Sequence, residues 1–179
     1  MRNSFDRFNG RHQDYQAARP SYAQVFLDWL GELYAPPERY TAADIGSGTG
    51  KLSAQLLAAG FRVCGVEPNP DMRGAAEALL GGDPRFSSSN GTDHDTGLPD
   101  RSVDMVAAAQ AFHWFDGPAF ARECRRILRP GGRAVLVWNV RGSAPMNQAL
   151  AQVFREHCPS FHGFTGGMGE GDPPIRDFF

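Results

Sequence analysis

The stretch "ADIGSGTGK", Ala43–Lys51, places three glycines in five positions directly after the short run "YTAADI". Glycine accepts φ above zero and has no side chain to hold a ligand away, so such a run marks a sharp turn or a loop that something approaches closely. Leu52, Leu56 and Ala59 then recur at helical spacing, and Gly60 ends that helix. "FRVCGVE" follows, alternating and β-branched, and predicts a strand. Strand, glycine turn, helix and strand make the opening unit of a parallel α/β sheet.

The same rhythm continues outward. "PDMRGAAEALL" predicts a helix stopped by Gly81 and Gly82, "RFSSSN" a strand, and "SVDMVAAA" another. "GPAFARECRRIL" predicts a helix with the apolar stripe Phe120, Cys124, Ile127 and Leu128; "RPGG" predicts a turn. "RAVLVWN" has five consecutive apolar residues, as a strand buried on both faces would. "APMNQALAQVFREH" predicts a last helix over 145–157, and "GFTGGMGEGDPP" a loop. Upstream, Tyr22, Phe26, Trp29, Leu30 and Leu33 predict an amphipathic helix, ended by Pro36 and Pro37. The expected fold is a doubly wound, Rossmann-like, mostly parallel sheet with helices on both faces. It forms one domain over 1–179: an arm and helix at 1–35, a core at 40–140, and a helix with a Gly/Pro-rich tail at 141–179. Ligands of such sheets bind beyond the carboxyl ends of the strands, where the strand order reverses.

Composition narrows the function classes. With a net charge of −2, nothing global attracts nucleic acid or an anionic membrane, and neither is expected as a partner. No apolar run approaches the roughly 18 residues of a membrane helix, and "MRNSFDRFNGRHQDY" has no signal-peptide core. Cys64, Cys124 and Cys158 are far apart, odd in number and form no CxxC pair, which speaks against a zinc site and a disulfide framework and for three reduced thiols in or near the core; no metal is expected. A cytoplasmic location is expected.

The glycine loop has three readings. A P-loop requires G-x-x-x-x-G-K-[ST], but the first glycine slot holds Ile45 and the hydroxyl slot Leu52. A dinucleotide fingerprint requires G-x-G-x-x-G, but its third glycine slot holds Lys51. The spacing present is Gly46, Gly48, Gly50, with Asp44 just before it and Glu67 at the end of the second strand, 21 residues after Gly46. An acid at that spacing suits two ribose hydroxyls and disfavours a 2′-phosphate. Asp44 repels phosphate and attracts an ammonium. A nucleoside with an amino-acid end, S-adenosylmethionine, fits both, and its carboxylate suits the N-terminus of the following helix.

Three segments together, "ADIGSGTGKLSAQLLAAGFRVCGVEPNPDM", "LPDRSVDMVAAAQAFHWFD" and "RRILRPGGRAVLVWN", resemble the class I S-adenosylmethionine-dependent methyltransferases of the type 11 group. The resemblance covers roughly residues 5–140. "FHWFD" and the N-terminal Tyr15, Arg19, Pro20 and Tyr22 look like a branch that includes trans-aconitate methyltransferase-like proteins. The resemblance implies that Asp44, Gly46, Ser47, Gly48 and Gly50 surround the methionyl end, that Glu67, followed by Pro68, holds the ribose, and that Met72 packs on the adenine. The adenine-edge motif departs from the family's Gly-[Asp/Thr]-Ala-Glu, reading Gly91, Thr92, Asp93, His94. Backbone contacts at Thr92 and Asp93 are expected there. Ala109 and Gln110 would border the reactive methyl, His113 is the first base for a hydroxyl or amine acceptor, and Trp114 lies at the substrate mouth. Tyr15 and Arg19 would form a lid over the cofactor and help bind it, and Arg11, Arg19 and Arg141 are candidates for a carboxylate substrate.

The implied activity is methyl transfer to an O, N or C nucleophile of a small molecule, with small carboxylic acids a first class. The alternatives are a non-catalytic cofactor-binding or scaffold remnant and an NAD-dependent oxidoreductase. The family ends in an antiparallel hairpin; by resemblance "IRDFF" would open a sixth strand and the seventh would be absent. "RAVLVWN" would then be an apolar edge, with either a homodimer through that edge or marginal stability as the result.

Overall fold

The computed structural model describes residues 21–139 and 145–158. They fall into two units, divided between Val137 and Trp138.

In the first unit, α1 (Gln24–Leu33) leads through a short 3-10 turn at Pro37–Arg39 into β1 (Thr41–Ile45), α2 (Lys51–Ala58), β2 (Arg62–Val66), α3 (Pro70–Leu80) and β3 (Phe86–Ser89). β4 (Val103–Ala109), a 3-10 turn at Phe112–Trp114, α4 (Gly117–Ile127) and β5 (Leu128–Val137) complete it. The sheet runs β3-β2-β1-β4-β5, and every pair is parallel. The expected α/β architecture is therefore present. The segment expected to open a sixth strand, "IRDFF", falls on 175–179, and Tyr15 and Arg19 on the N-terminal arm; both lie outside the described residues, as do Arg11 and Arg141.

"TAADI" has poor strand propensity and is nonetheless the centre of the sheet. It pairs with β2 on one side and β4 on the other, and four of its five residues are buried. Tertiary pairing decides that conformation, not local preference. Ala42, Val63, Met105 and Val135 share one buried cluster with Leu30 and Leu56 from α1 and α2. Leu56 is fully buried, so Leu56→Ala would cost about 2–5 kcal/mol. Asp104 ties three strands at the opposite end from the glycine loop: its Oδ2 accepts from the Thr41 N–H at 2.8 Å and from Arg129 Nη1 at 2.7 Å.

The helix starts are built from ordinary capping chemistry. Asn69 caps α3, its side chain accepting from the N–H groups of Asp71 and Met72, with Pro70 beginning the helix. Asp116 caps α4 by accepting from Ala119 N–H, and Arg125 and Arg126 sit in that helix's last turn. α2 differs: its cap is Gly50 in the left-handed region, with no side-chain cap. The turn into this helix is made by a residue with no side chain, so its N-terminus opens onto the glycine loop.

Four expectations need correction. Trp29 is half exposed; the buried stripe of α1 runs through Leu27 and Leu30, and Trp29 leans on Phe26 at its rim. "RPGG" is no separate turn but part of β5: two steps along β4, Val103 to Met105, match five along β5, Leu128 to Arg133. The excess bulges out, with Gly131 at φ 82. "RAVLVWN" is not buried on both faces, because β5 is the edge of the sheet among the described residues; Val135 alone is buried and its apolar neighbours are half-buried. Of the three thiols, Cys64 and Cys124 are buried but Cys158 is exposed.

The second unit, as described, contains α5 (Pro145–His157). Leu150, Val153 and Phe154 are exposed on it, and Gln152 donates to Glu156 one turn on. No helix of the described residues is long and apolar enough to cross a membrane.

Candidate functional site

All strands of a parallel sheet end on the same side, so the loops after β1, β2, β3 and β4 gather along one edge. The chain passes from β1 to β2 in one direction and reaches β4 on the other side, which places the switch point between β1 and β4.

The glycine loop forms the floor. The N–H groups of Gly46 and Ser47 both donate to the Val66 carbonyl, at 2.9 and 3.2 Å, and fold the loop over the end of β2. Gly46, Gly48 and Gly50 all have positive φ, at 69°, 56° and 81°. A Cβ on Gly46 would lie 2.8 Å from Ala111 Cβ and 3.3 Å from the Phe115 ring. The loops after β1 and β4 therefore touch, and only glycine permits it. At Gly48 a Cβ would meet nothing within 4 Å, so this part of the loop faces open space and its conformation alone requires glycine.

Two buried carboxylates flank the loop. Asp44, 1% exposed, accepts from Ser53 Oγ at 2.7 Å through Oδ2. Its Oδ1 is buried with no hydrogen-bond partner. Burial pushes its pKa up to about 6; the Ser53 hydrogen bonds oppose the shift and the nearby Glu67 charge adds to it. Glu67, 8% exposed, accepts from the Gly48 N–H through Oε2 and from the Asn69 N–H through Oε1, each at 2.9 Å. Burial raises its pKa, against the lowering effect of those N–H groups and of Arg73. Arg73 Nη1 donates to the carbonyls of Glu67 and Pro68 and to Asn90 Oδ1, bridging the loops after β2 and β3. Pro68 is half-buried and Met72 is buried in the first turn of α3.

After β3, the Thr92 N–H donates to the Asp95 carbonyl at 2.8 Å, and Asp95 N–H returns to Thr92 Oγ1 at 3.1 Å. The Thr92 N–H is therefore engaged within its own turn. Asp93 is buried; its Oδ2 accepts from the Asp116 N–H at 3.0 Å, and its Oδ1 lies 3.1 Å from Nδ1 of the exposed His94. After β4, Gln110 holds φ 55, a region that non-glycine residues rarely enter and that concentrates at functional edges. Its N–H donates to the Val137 carbonyl at 2.9 Å. His113 is half-buried and Trp114 is 47% exposed, their rings 5.0 Å apart in the same 3-10 turn.

The structure thus brings Asp44, the three glycines, Ser47 and Glu67 together, and adds three residues the sequence reading had not singled out. Asn69 carried a legible signal, an Asn before a Pro-initiated helix. Ser53 is a polar residue on the buried side of α2, and Arg73 carried none, because its three acceptors come from two loops.

No group of His, Cys, Asp and Glu among the described residues could hold a metal ion. For a ligand carrying a cation and a ribose the arrangement fits: a buried acceptor oxygen lacks a donor, and the carboxylate beyond β2 has lone pairs beyond the two engaged.

Comparison with known proteins agrees with this geometry. Residues 43–136 match the family described as a methyltransferase domain. An uncharacterized methyltransferase of Mycobacterium tuberculosis is 42% identical over 127 residues, covering 71% of this chain and 49% of that protein. The chain thus spans about half the length of that relative. A solved structure from Anaeromyxobacter dehalogenans is 34% identical with a TM-score of 0.62, covering 76% of this chain and 57% of that one. An S-adenosylmethionine dependent methyltransferase from Mesorhizobium loti is 25% identical with a TM-score of 0.50, covering 54% and 45%. On the family match, the sheet order and the glycine loop between two acids, this chain belongs to the type 11 methyltransferase domain family of class I architecture.

Proposed function

We propose that this chain binds S-adenosylmethionine at the carboxyl edge of β1 and β2 and takes part in methyl transfer to an O, N or C nucleophile of a small molecule. The observation that carries the reading is Asp44 Oδ1, a buried acceptor without a donor beside a loop of three left-handed glycines. A ligand ammonium supplies the missing donor. The name of the Mesorhizobium loti neighbour, which is S-adenosylmethionine dependent, supports the same cofactor.

When bound, the cofactor supplies a methyl group already activated by its sulfonium, so the protein's work is positioning. Asp44 Oδ1 accepts from the ammonium while Ser53 holds Oδ2. The side-chain-uncapped N-terminus of α2 faces the carboxylate. Glu67 accepts from the ribose hydroxyls with the lone pairs that Gly48 and Asn69 leave. Met72 backs the adenine, and the peptide of Asp93 meets its edge. Gln110 borders the methyl, and Trp114 forms a wall for the acceptor. A carboxylate acceptor needs no base; for a hydroxyl or amine, His113 takes the proton. The resemblance of Tyr15, Arg19, Pro20 and Tyr22 supports small carboxylic acids as the first acceptor class.

Calorimetric titration with S-adenosylmethionine and S-adenosylhomocysteine, with NAD as control, tests the reading. Saturable binding is expected, with Glu67→Ala weakening it by about a hundredfold through loss of charge-assisted hydrogen bonds and of the loop's tie. A folded chain that binds neither ligand, or binds NAD instead, would overturn the reading. Binding without methyl label on any acceptor would favour a cofactor-binding protein that does not catalyse.

A further inference from the structure

α4 carries a buried acid that the proposed chemistry does not use. Glu123, 7% exposed, sits two turns into that helix with its carboxylate aimed at the loop after β3. Its Oε1 accepts from the Thr96 N–H at 2.9 Å, Thr96 Oγ1 at 2.6 Å and Arg126 Nη2 at 2.7 Å; its Oε2 accepts from Arg126 Nε at 2.8 Å. Burial acts to raise the Glu123 pKa, but the hydrogen bonds from Arg126 and Thr96 prevail and hold it at about 2, so the acid stays charged.

Thr96 is the hub of the loop. Its hydroxyl accepts from the Leu98 N–H, and its carbonyl accepts from Ser89 Oγ at the end of β3. A Cβ on Gly91 would lie 2.5 Å from that same carbonyl, so the two arms of the loop close against each other only because residue 91 is glycine. The segment so closed contains Thr92 and Asp93. Asp93 in turn accepts from the N–H of Asp116, the cap residue of α4. One helix thus grips the loop at two points, near its first turn and near its last.

An apolar pair would hold a surface loop to a helix as firmly. What a fully hydrogen-bonded buried acid adds is a single permitted position. We propose that Thr96 and Glu123 are positioning residues, which fix the 91–96 loop so that its peptide edge discriminates the base of the cofactor. The inference rests on the cofactor reading above and goes beyond it by assigning base selectivity to residues that do not touch the ligand.

The test compares S-adenosylhomocysteine with S-inosylhomocysteine, in which the 6-amino group is replaced by oxygen, for the 179-residue chain and for Thr96→Val, Thr96→Ser and Glu123→Gln. Thr96→Val is expected to lower the preference for the amino base by about tenfold, the worth of a misplaced hydrogen bond, and Thr96→Ser to restore it. Glu123→Gln keeps the side chain's shape and carries the same test should Thr96→Val fail to fold. A fall in melting temperature with an unchanged preference would assign the network to stability alone and overturn the inference. Wild-type binding without base preference would overturn it too and leave the cofactor reading intact. No binding of either ligand by the wild type would overturn both.

Discussion

The ends of β1 and β2 each carry a buried carboxylate, 23 positions apart in sequence and on opposite flanks of one loop. At the end of β2, both oxygens of Glu67 are met by peptide N–H groups. At the end of β1, Asp44 has one oxygen met by Ser53 and the other by nothing. The first is a finished piece of structure that still has lone pairs to offer. The second is unfinished until a donor arrives. An acid that ties down a loop and an acid that waits for a cation have the same chemistry, and only their partners tell them apart.

The strongest way to break this comparison is to remove the loop both acids serve. Gly46→Ala puts a Cβ into Ala111 and Phe115 at a left-handed φ. It should cost about 4 kcal/mol from overpacking and strain together, with S-adenosylhomocysteine binding lost, as read by urea unfolding and calorimetry. An alanine variant of unchanged stability would mean that the β1 and β4 loops do not touch as described.

pH sharpens the contrast. The folded-state pKa of Asp44 is raised to about 6 from its ordinary 3.8. The folded chain then holds this proton more tightly than the unfolded chain does, so its contribution is fully present below the ordinary value and is lost as pH rises through about 6. For the ligand-free chain that loss is roughly 2 to 3 kcal/mol. Asp44→Asn should remove this component, roughly half of which falls between pH 5 and pH 7.5, seen as a smaller difference between unfolding free energies at those two values. Affinity for S-adenosylhomocysteine should move the other way in the wild type, rising with pH through the same window, because an ammonium requires the carboxylate.

The smallest effect belongs to the far side of the crevice. Gln110→Gly relieves a positive φ at the end of β4 and should change stability by less than about 1 kcal/mol, since glycine's greater unfolded-state freedom offsets the relief. The same variant should slow methyl transfer to any acceptor the chain uses while leaving S-adenosylhomocysteine affinity near wild type. A loss of affinity equal to that of Glu67→Ala would place Gln110 with the two acids instead of with the acceptor.

Much of the fold was legible. Alternation in "FRVCGVE", the Pro-initiated helix at 70–80 and the glycine stops placed elements close to where they lie. "RPGG" was misread because a Pro-Gly-Gly run signals a turn locally, whereas pairing with β4 carries the chain through it as a bulge. "RAVLVWN" was misread because an apolar run reports hydrophobicity, not the number of neighbours a strand has. In the site, the glycines and the spacing of Asp44 and Glu67 were visible as pattern. The Ser53, Arg73 and Thr96–Glu123 contacts were not, since their partners lie nine, up to seventeen and twenty-seven positions away.

By itself, then, the sequence determined a parallel α/β sheet, a glycine loop unsuited to phosphate, and two acids at the spacing of a nucleoside with a cationic end. Local preference and residue chemistry suffice for these, because each is written within a few turns of chain. Tertiary structure alone decided which acid is satisfied and which is left with an orphan oxygen. It also decided that "TAADI" becomes the central strand despite its propensity, and that one helix grips the loop after β3 at two points. These depend on which distant donors arrive at a given oxygen, and only the packing of the sheet sets that.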